Sequence, residues 1–446
     1  MAFIPNTESE QQKMLEKIGV SSFEELITAI PEEIRLKQPL NLMNRLSEME
    51  VTKLLANYAA KNSSVTTHTC FLGGGAYDHF IPSIVDMVLS RSEFKTAYTP
   101  YQAEVSQGTL QAMYEFQSMI CAITGMDVAN ASLYDGGTAL AEACLMANAQ
   151  NKRNEFLIAG TINPYYRQVV DTLTAGKNYT FKQFVSADGT ADLDALKEAV
   201  SENTAAVIVQ HPNFYGNLEN VEEIEKIIHE AGGLFIVSSC PFSMVIFKTP
   251  KEYNADIVVG EGQPLGIPLS YGGPYLGLFA TKSKYVRKMP GRIAGATEDA
   301  KGNRCFVLTL QTREQQIKRE KATSNICTNQ GLYMLAATVY METMGKSGIK
   351  EVAQQSYEKA MYLAKRITEI NGFSLLNDKP FFREFLVKTP VEPGKIIKAA
   401  NEKGILAGLD TSKFDGYEKG LLIAVTEKRT FEEMEQLIEL LESFAQ

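Results

Sequence analysis

Residues 96–108 run Thr96-Ala97-Tyr98-Thr99-Pro100-Tyr101-Gln102-Ala103-Glu104-Val105-Ser106-Gln107-Gly108. Hydroxyls, amides and aromatic rings crowd around one carboxylate. Tyrosines stack and donate, and Glu104 can take a proton or hold an amine, so the segment reads as the wall of a polar pocket. The plainer reading is a proline turn capping the next helix. A second candidate is Asp135-Gly136-Gly137-Thr138 before an Ala-rich helix. Free amides at a helix start plus a hydroxyl make an anion site suited to phosphate, and the same residues also serve a simple capped turn. Residues 73–79 combine three glycines with Asp78 and His79. Glycines permit positive φ or close backbone approach, and His79 is either structural or at the mouth of a site. Finally, residues 311–321 read as a charged helix that enters Thr323-Ser324-Asn325, a hydroxyl cluster able to reach a phosphate held by a partner subunit.

The stretch 232–277 carries a different kind of information. The apolar run 234–237 is followed by 255–260 and then by Tyr271-Gly272-Gly273-Pro274. Strands so spaced before a glycine run are the frame on which pyridoxal-phosphate (PLP) enzymes place a lysine for the imine and an acid for the pyridine nitrogen. Here the second run ends Gly260-Glu261-Gly262-Gln263, and the first ends Ser238-Ser239-Cys240. An amide forms no imine, and a neutral thiol does not stabilise a pyridinium as a carboxylate does. The architecture is kept and the chemistry is missing, which points to one half of an enzyme. Two other lysines fit poorly: Lys248 follows the first strand too closely, and Lys282 comes after the glycine run.

These residues need elements to hold them. The chain has 446 residues, room for roughly two to three domains. Residues 1–64 read as an N-terminal helical arm, with Ser22 and Glu25 as a capping box for a helix over 23–30 and a second helix over 47–61. Such an arm wraps a partner or packs on its own domain. Residues 65–330 alternate short apolar runs (156–159, 206–209, 234–237, 257–259, 276–280) with helical patterns such as 220–231, which implies a mostly parallel sheet covered on both faces. Residues 331–446 read as a small α+β domain that ends in a helix capped by Thr430 and Glu433.

Composition narrows the partners. Fifty-three acidic and 44 basic side chains leave a net charge of −9, which argues against nucleic acid or an anionic membrane. No run approaches the roughly 18 apolar residues of a membrane span, and no signal peptide opens the chain. The six cysteines form no Cys-x-x-Cys pair, so reduced, buried thiols in a cytoplasmic protein are expected. The four histidines show no metal spacing, and no metal site is expected.

Taken together, residues 71–82 (FLGGGAYDHFIP), 98–108 (YTPYQAEVSQG), 125–143 (GMDVANASLYDGGTALAEA), 256–274 (DIVVGEGQPLGIPLSYGGP), 289–295 (MPGRIAG) and 310–328 resemble the glycine cleavage system P-protein family, glycine decarboxylase. The likeness starts at Ile4-Pro5-Asn6-Thr7 and runs past residue 330. Many bacteria split this enzyme into two homologous subunits, and the match is to subunit 1, which lacks the PLP lysine. Counted back from Ile267-Pro268, Gln263 falls where subunit 2 carries that lysine. Gly74, Ala76, Ala103 and Cys240 depart slightly from the family pattern.

The resemblance implies a PLP-dependent transferase fold type I large domain, a small C-terminal domain and an α2β2 tetramer with subunit 2. PLP would be held covalently by that partner. The pair would decarboxylate glycine and pass the aminomethyl group to the lipoyl arm of H-protein. On this reading Tyr98, Tyr101, Gln102 and Glu104 line the partner's site. Thr323 and Ser324 donate to the partner-held phosphate, and Gly136, Gly137 and Thr138 mark a vestigial cradle. The alternative is a scaffold that only stabilises a PLP-bearing paralogue.

Overall fold

A computed structural model of the chain describes residues 5–38, 40–184 and 188–445. Ile4, where the family likeness begins, and residues 1–3 and 39 of the expected arm lie outside them, as do residues 185–187. Contacts divide the chain after Asn62. In the first unit, Thr7 and Glu10 form a capping box for the helix Glu8–Ile18, and Ser47 and Glu50 form one for Glu48–Ala59. The Ser22 hydroxyl accepts from the Glu25 amide, but the Glu25 carboxylate turns to Ser21 instead of closing the box. That helix is correspondingly short, Phe23–Leu26, and stops before the expected Ile30. None of the three helices buries a residue.

The second unit is built on a seven-stranded sheet. Its strands are β1 (Val128–Ala129), β2 (Glu155–Ala159), β3 (Thr180–Phe184), β4 (Thr204–His211), β5 (Leu234–Ser239), β6 (Ile257–Glu261) and β7 (Gly277–Thr281), in the order β1-β7-β6-β5-β4-β2-β3. The five strands β3, β2, β4, β5 and β6 run parallel; β7 pairs antiparallel with β6 and with β1, so β7 alone runs against the rest. Side chains alternate across each strand, and here both faces are covered. Val207, Val209, Phe235, Val237 and Val258 enter one core with Phe116 and Phe242. Ala206, Ile208, Ile236, Ile257 and Val259 enter the other with the alanines of residues 139–147. This is why the strands read as continuous apolar runs.

Helix α1 (Gln107–Thr124) lies on the first core and α2 (Gly136–Asn151) on the second. The side chain of Gln117 exchanges two hydrogen bonds with the main chain of Ala294, both 2.9 Å, and that of Gln107 does so with Phe306 at 2.8 and 2.9 Å. The two clamps hold an antiparallel hairpin, β8 (Ile293–Glu298) with β9 (Arg304–Thr309). This hairpin carries no apolar run by which to read it, because only the first two residues of β8 are buried and its outer half is exposed.

Residues 311–321 do not form the expected charged helix. They fold as two 3-10 turns around the short helix Gln315–Lys318, because Leu310 and Arg319 take positive φ of 52° and 54°. Helix α3 (Gly331–Thr368) follows and breaks at Gly345, where φ is 59° and ψ −179°. A four-stranded antiparallel sheet comes last: Ser374–Leu375, Glu384–Lys388, Leu421–Ala424 and Leu409–Asp410, in spatial order. The Thr430–Glu433 capping box starts its helix Phe431–Glu442, which buries Met434, Leu437, Ile438 and Leu441 against it. All six cysteines are free; Cys70 and Cys144 are buried, whereas Cys327 is exposed, against the expectation of buried thiols. No helix of the described residues is long and apolar enough to cross a membrane.

Candidate functional site

The carboxyl ends of β4, β5 and β6 meet the start of α2 around a cavity of about 50 Å³, lined among others by Tyr77, Tyr166, Cys240, Glu261 and Arg383. The expected phosphate cradle opens here, and two of its amides already have partners from the same chain. The Thr138 amide donates to the Asp135 cap at 2.7 Å, and the Gly136 amide donates to Glu261 at 2.9 Å. Glu261 also accepts from the Gln263 and Leu276 amides, both at 3.0 Å. Burial pushes its carboxyl up to about 8, although the three amides pull the other way. A Cβ on Gly136 would lie 2.8 Å from the Tyr166 hydroxyl, so glycine is what allows this close approach.

Gln263 is 1% exposed. Its Oε1 accepts from the Tyr77 amide at 2.8 Å, and its Nε2 donates to the Tyr77 carbonyl at 3.0 Å and the Ile267 carbonyl at 2.7 Å. The amide is therefore a structural clamp on the glycine-rich segment. Arg383 lies over the Tyr77 ring at 3.6 Å and donates to Cys240 Sγ at 3.2 Å and to His79 Nε2. A guanidinium cannot accept, so Nε2 is the acceptor and His79 Nδ1–H donates to Glu427. His79 is 5% exposed and sealed between the two, and burial holds its pKa below the usual value. Glu384 bonds the Gly74 amide at 2.5 Å and the Tyr77 hydroxyl at 2.8 Å, and burial raises its carboxyl to about 7.

These residues do not fit PLP. No lysine lines the cavity, carboxylates stand at the helix start where a phosphate would sit, and pockets for such ligands run to about 300 Å³ or more. The two other lysines considered are committed elsewhere. Lys248 pairs with Glu222 at the surface, and Lys282 donates to Asp256 at 2.7 Å.

The tyrosine-rich segment lies elsewhere, on a second cavity of about 310 Å³ lined by Tyr98, Thr99, Arg292, Thr328 and the start of α3. Tyr98 is 82% exposed and Tyr101 53%. Gln102 and Glu104 are exposed as well. The Tyr101 ring stacks 5.5 Å from the Arg292 guanidinium, and Arg292 Nη2 donates to its hydroxyl at 3.4 Å. Thr323 and Ser324 line a neighbouring cleft with Arg313, Glu314 and Lys318. Ser324 Oγ accepts from the Ile326 amide at 3.0 Å, and it lies near Glu142, whose carboxyl burial raises to about 7. The structure thus groups Tyr98 and Tyr101 around Arg292, Thr323 and Ser324 beside Arg313, and Gly136, Gly137 and Thr138 at the sheet end.

Sequence reasoning named neither Arg292 nor Arg383 as a site residue. Each had a signal: a lone arginine after Pro290-Gly291, and an Arg-Glu pair inside the aromatic run Phe381-Phe382-Arg383-Glu384-Phe385.

A family model described as Glycine cleavage system P-protein matches residues 1–441. The chain is 54% identical over 441 residues to a probable glycine dehydrogenase (decarboxylating) subunit 1 of Chloroherpeton thalassium, covering 99% of both chains. It is 53% identical over 442 residues to the protein of the same description from Carboxydothermus hydrogenoformans, again at 99% of both. Among solved structures, an inhibitor-bound glycine decarboxylase (P-protein) of the glycine cleavage system superposes with a TM-score of 0.90 at 40% identity over the whole of both chains. The glutamate decarboxylase of Lactobacillus brevis shares the fold at 11% identity, with a TM-score of 0.69 over 95% of this chain and 96% of that one. The fold is that of the PLP-dependent transferases of fold type I, and the chain belongs to the glycine cleavage system P-protein family.

Proposed function

We propose that this chain is subunit 1 of a two-subunit glycine decarboxylase. With a PLP-bearing subunit 2 it would decarboxylate glycine and deliver the aminomethyl group to the lipoyl arm of H-protein. The observation that carries this reading is Gln263 itself. A buried amide, hydrogen-bonded on both its oxygen and its nitrogen, stands where a lysine would be needed, in a chain that matches subunit 1 proteins end to end.

On this reading the cofactor is covalently attached to subunit 2 in an α2β2 tetramer, in the cytoplasm. Residues 1–64 form an arm, 65–330 a large domain and 331–446 a small one. Tyr98, Tyr101, Gln102 and Glu104 complete the partner's pocket; their exposure in the single chain supports this, since a residue that serves a partner must be reachable. Thr323 and Ser324 approach the partner-held phosphate from a cleft that also carries Arg287, Lys288, Arg313 and Lys318 against the one carboxylate of Glu314.

The test is glycine-dependent CO2 exchange with lipoylated H-protein, using this chain alone and mixed with a subunit 2. Activity confined to the mixture is expected. Turnover by this chain alone would mean that one of its own lysines carries the cofactor, and the reading would fall.

A further inference from the structure

Arg292 is 3% exposed, yet its charge is poorly answered. Its Nε has no hydrogen-bond partner. Glu314 Oε2 lies 3.9 Å from that nitrogen, too far for a hydrogen bond, and the Tyr101 hydroxyl is a long 3.4 Å from Nη2. Buried guanidinium groups are ordinarily satisfied, because leaving one without partners costs more than a typical hydrogen bond returns.

Arg292 lines the 310 Å³ cavity together with Gly331, Leu332, Met334 and Leu335 at the start of α3, whose first segment runs to the break at Gly345. No side chain caps that helix, so its first-turn amides face the cavity mouth as free donors. Thr99, Thr109 and Thr328 add hydroxyls, while Phe94, Met113 and Leu335 supply an apolar wall.

The arrangement is fixed by the main chain. The Ala131 amide donates to the Arg292 carbonyl at 2.8 Å. Asn329 Nδ2 donates to the Ala131 carbonyl at 3.0 Å, and the Gln330 amide donates to Ser132 Oγ at 3.2 Å. The arginine and the helix start are thus tied to one short segment, residues 131–132. Gly291 sits beside Arg292 at φ +72°, where a Cβ would meet Asn130 Nδ2 at 2.8 Å.

We propose that this cavity is an oxyanion-binding site, in which Arg292, Thr328 and the first turn of α3 hold the phosphate or carboxylate end of a small organic anion, with its apolar part against Phe94, Met113 and Leu335. A guanidinium with an unpaired Nε and a helix start without a side-chain cap line one space with more donors than the protein answers, and an oxyanion supplies acceptors of the right charge. The inference stands on the cavity and not on the proposed reaction.

The test is titration of the full chain, alone and assembled with subunit 2, with inorganic phosphate and separately with glycine, at low ionic strength. Phosphorus NMR line width and calorimetric heat are the readouts, and neither needs turnover, so a failed CO2 exchange leaves them intact. Saturable binding is expected, weakened by about tenfold or more in Arg292→Gln and partly kept in Arg292→Lys. Thr328→Val, which keeps the buried charge, is the second variant should Arg292→Gln not fold; it is expected to weaken binding as well. Glycine that displaces phosphate assigns the site to a carboxylate, and phosphate binding indifferent to glycine assigns it to a phosphate. Absence of saturable binding of either probe in both preparations, or binding unchanged in Arg292→Gln or Thr328→Val, overturns the proposal.

Discussion

Gln263 and Tyr77 exchange two hydrogen bonds, one in each direction, between a side-chain amide and a main-chain peptide group 186 residues away. The glutamine works as a rung between the end of the sheet and the glycine-rich segment.

Replacing that rung has a defined cost. Gln263→Ala strands the Tyr77 amide and the Tyr77 and Ile267 carbonyls, and it is expected to lower stability by about 3 kcal/mol, read from urea denaturation. Gln263→Lys is expected to lose stability too and to gain no visible imine absorbance on addition of PLP, because Glu261 still holds the Gly136 amide. A coloured, active Gln263→Lys chain would refute this account of the strand ends.

Asp256 gives the chain a predictable response to acid. Burial pushes its carboxyl up, but hydrogen bonds from His229, Lys282 and the Phe235 amide outweigh that and hold it at about 2 against an ordinary 3.8. A depressed carboxyl stabilises the fold above its unfolded value, so this contribution is full above about pH 4 and lost as the pH falls towards 2. His229 is shifted the other way, chiefly by its bond to Asp256; its share is full below 6.5 and is lost as the pH rises through the elevated folded value. Asp256→Asn is expected to cost about 2 kcal/mol at neutral pH and to flatten the acid limb of a stability-against-pH curve. An unchanged acid limb would mean that the pairing does not persist in solution.

The hairpin clamps can be tested separately. Gln107→Ala and Gln117→Ala each leave an amide and a carbonyl of the hairpin unpaired, and each is expected to cost about 1–3 kcal/mol. Gln117, the more buried of the two, is expected to cost more. If the hairpin detaches as a unit, the double variant will fall short of the sum of the singles, and simple additivity would show two independent contacts.

Tyr101→Phe keeps the ring over Arg292 and removes the hydroxyl. It takes from buried Arg292 its hydrogen bond to that hydroxyl and is expected to cost about 1 kcal/mol, whereas the exposed Glu104→Gln is expected to stay within about 0.5 kcal/mol; each is expected to lower CO2 exchange of the assembled enzyme by about a hundredfold. Wild-type rates in either variant would take that residue off the list of pocket residues.

The sheet was legible in sequence because its strands are buried on both faces: the five apolar runs at 156–159, 206–209, 234–237, 257–259 and 276–280 match β2, β4, β5, β6 and β7. Strand β3 was not, since three of its five side chains are exposed and it sits at an edge. The charged stretch 311–321 carried helix-forming residues throughout, and only the positive φ at Leu310 and Arg319 breaks it. For the site, Gln263 could be read from its residue type alone as an amide that forms no imine. The lodging of Glu261 at the Gly136 amide could not, because it joins residues 125 positions apart. Arg292 likewise gains meaning only once the start of α3 is folded beside it.

The three glutamine clamps have one more consequence, for solvent exchange. The amide protons of Tyr77, Ala294 and Phe306 are held by side chains instead of by a neighbouring strand. A side chain lets go by rotating about its own bonds, with no strand needing to separate. These three protons should therefore exchange faster than those of β4 and β5, and at rates that follow the rotamers of Gln263, Gln117 and Gln107, making each a local clock for one long-range contact.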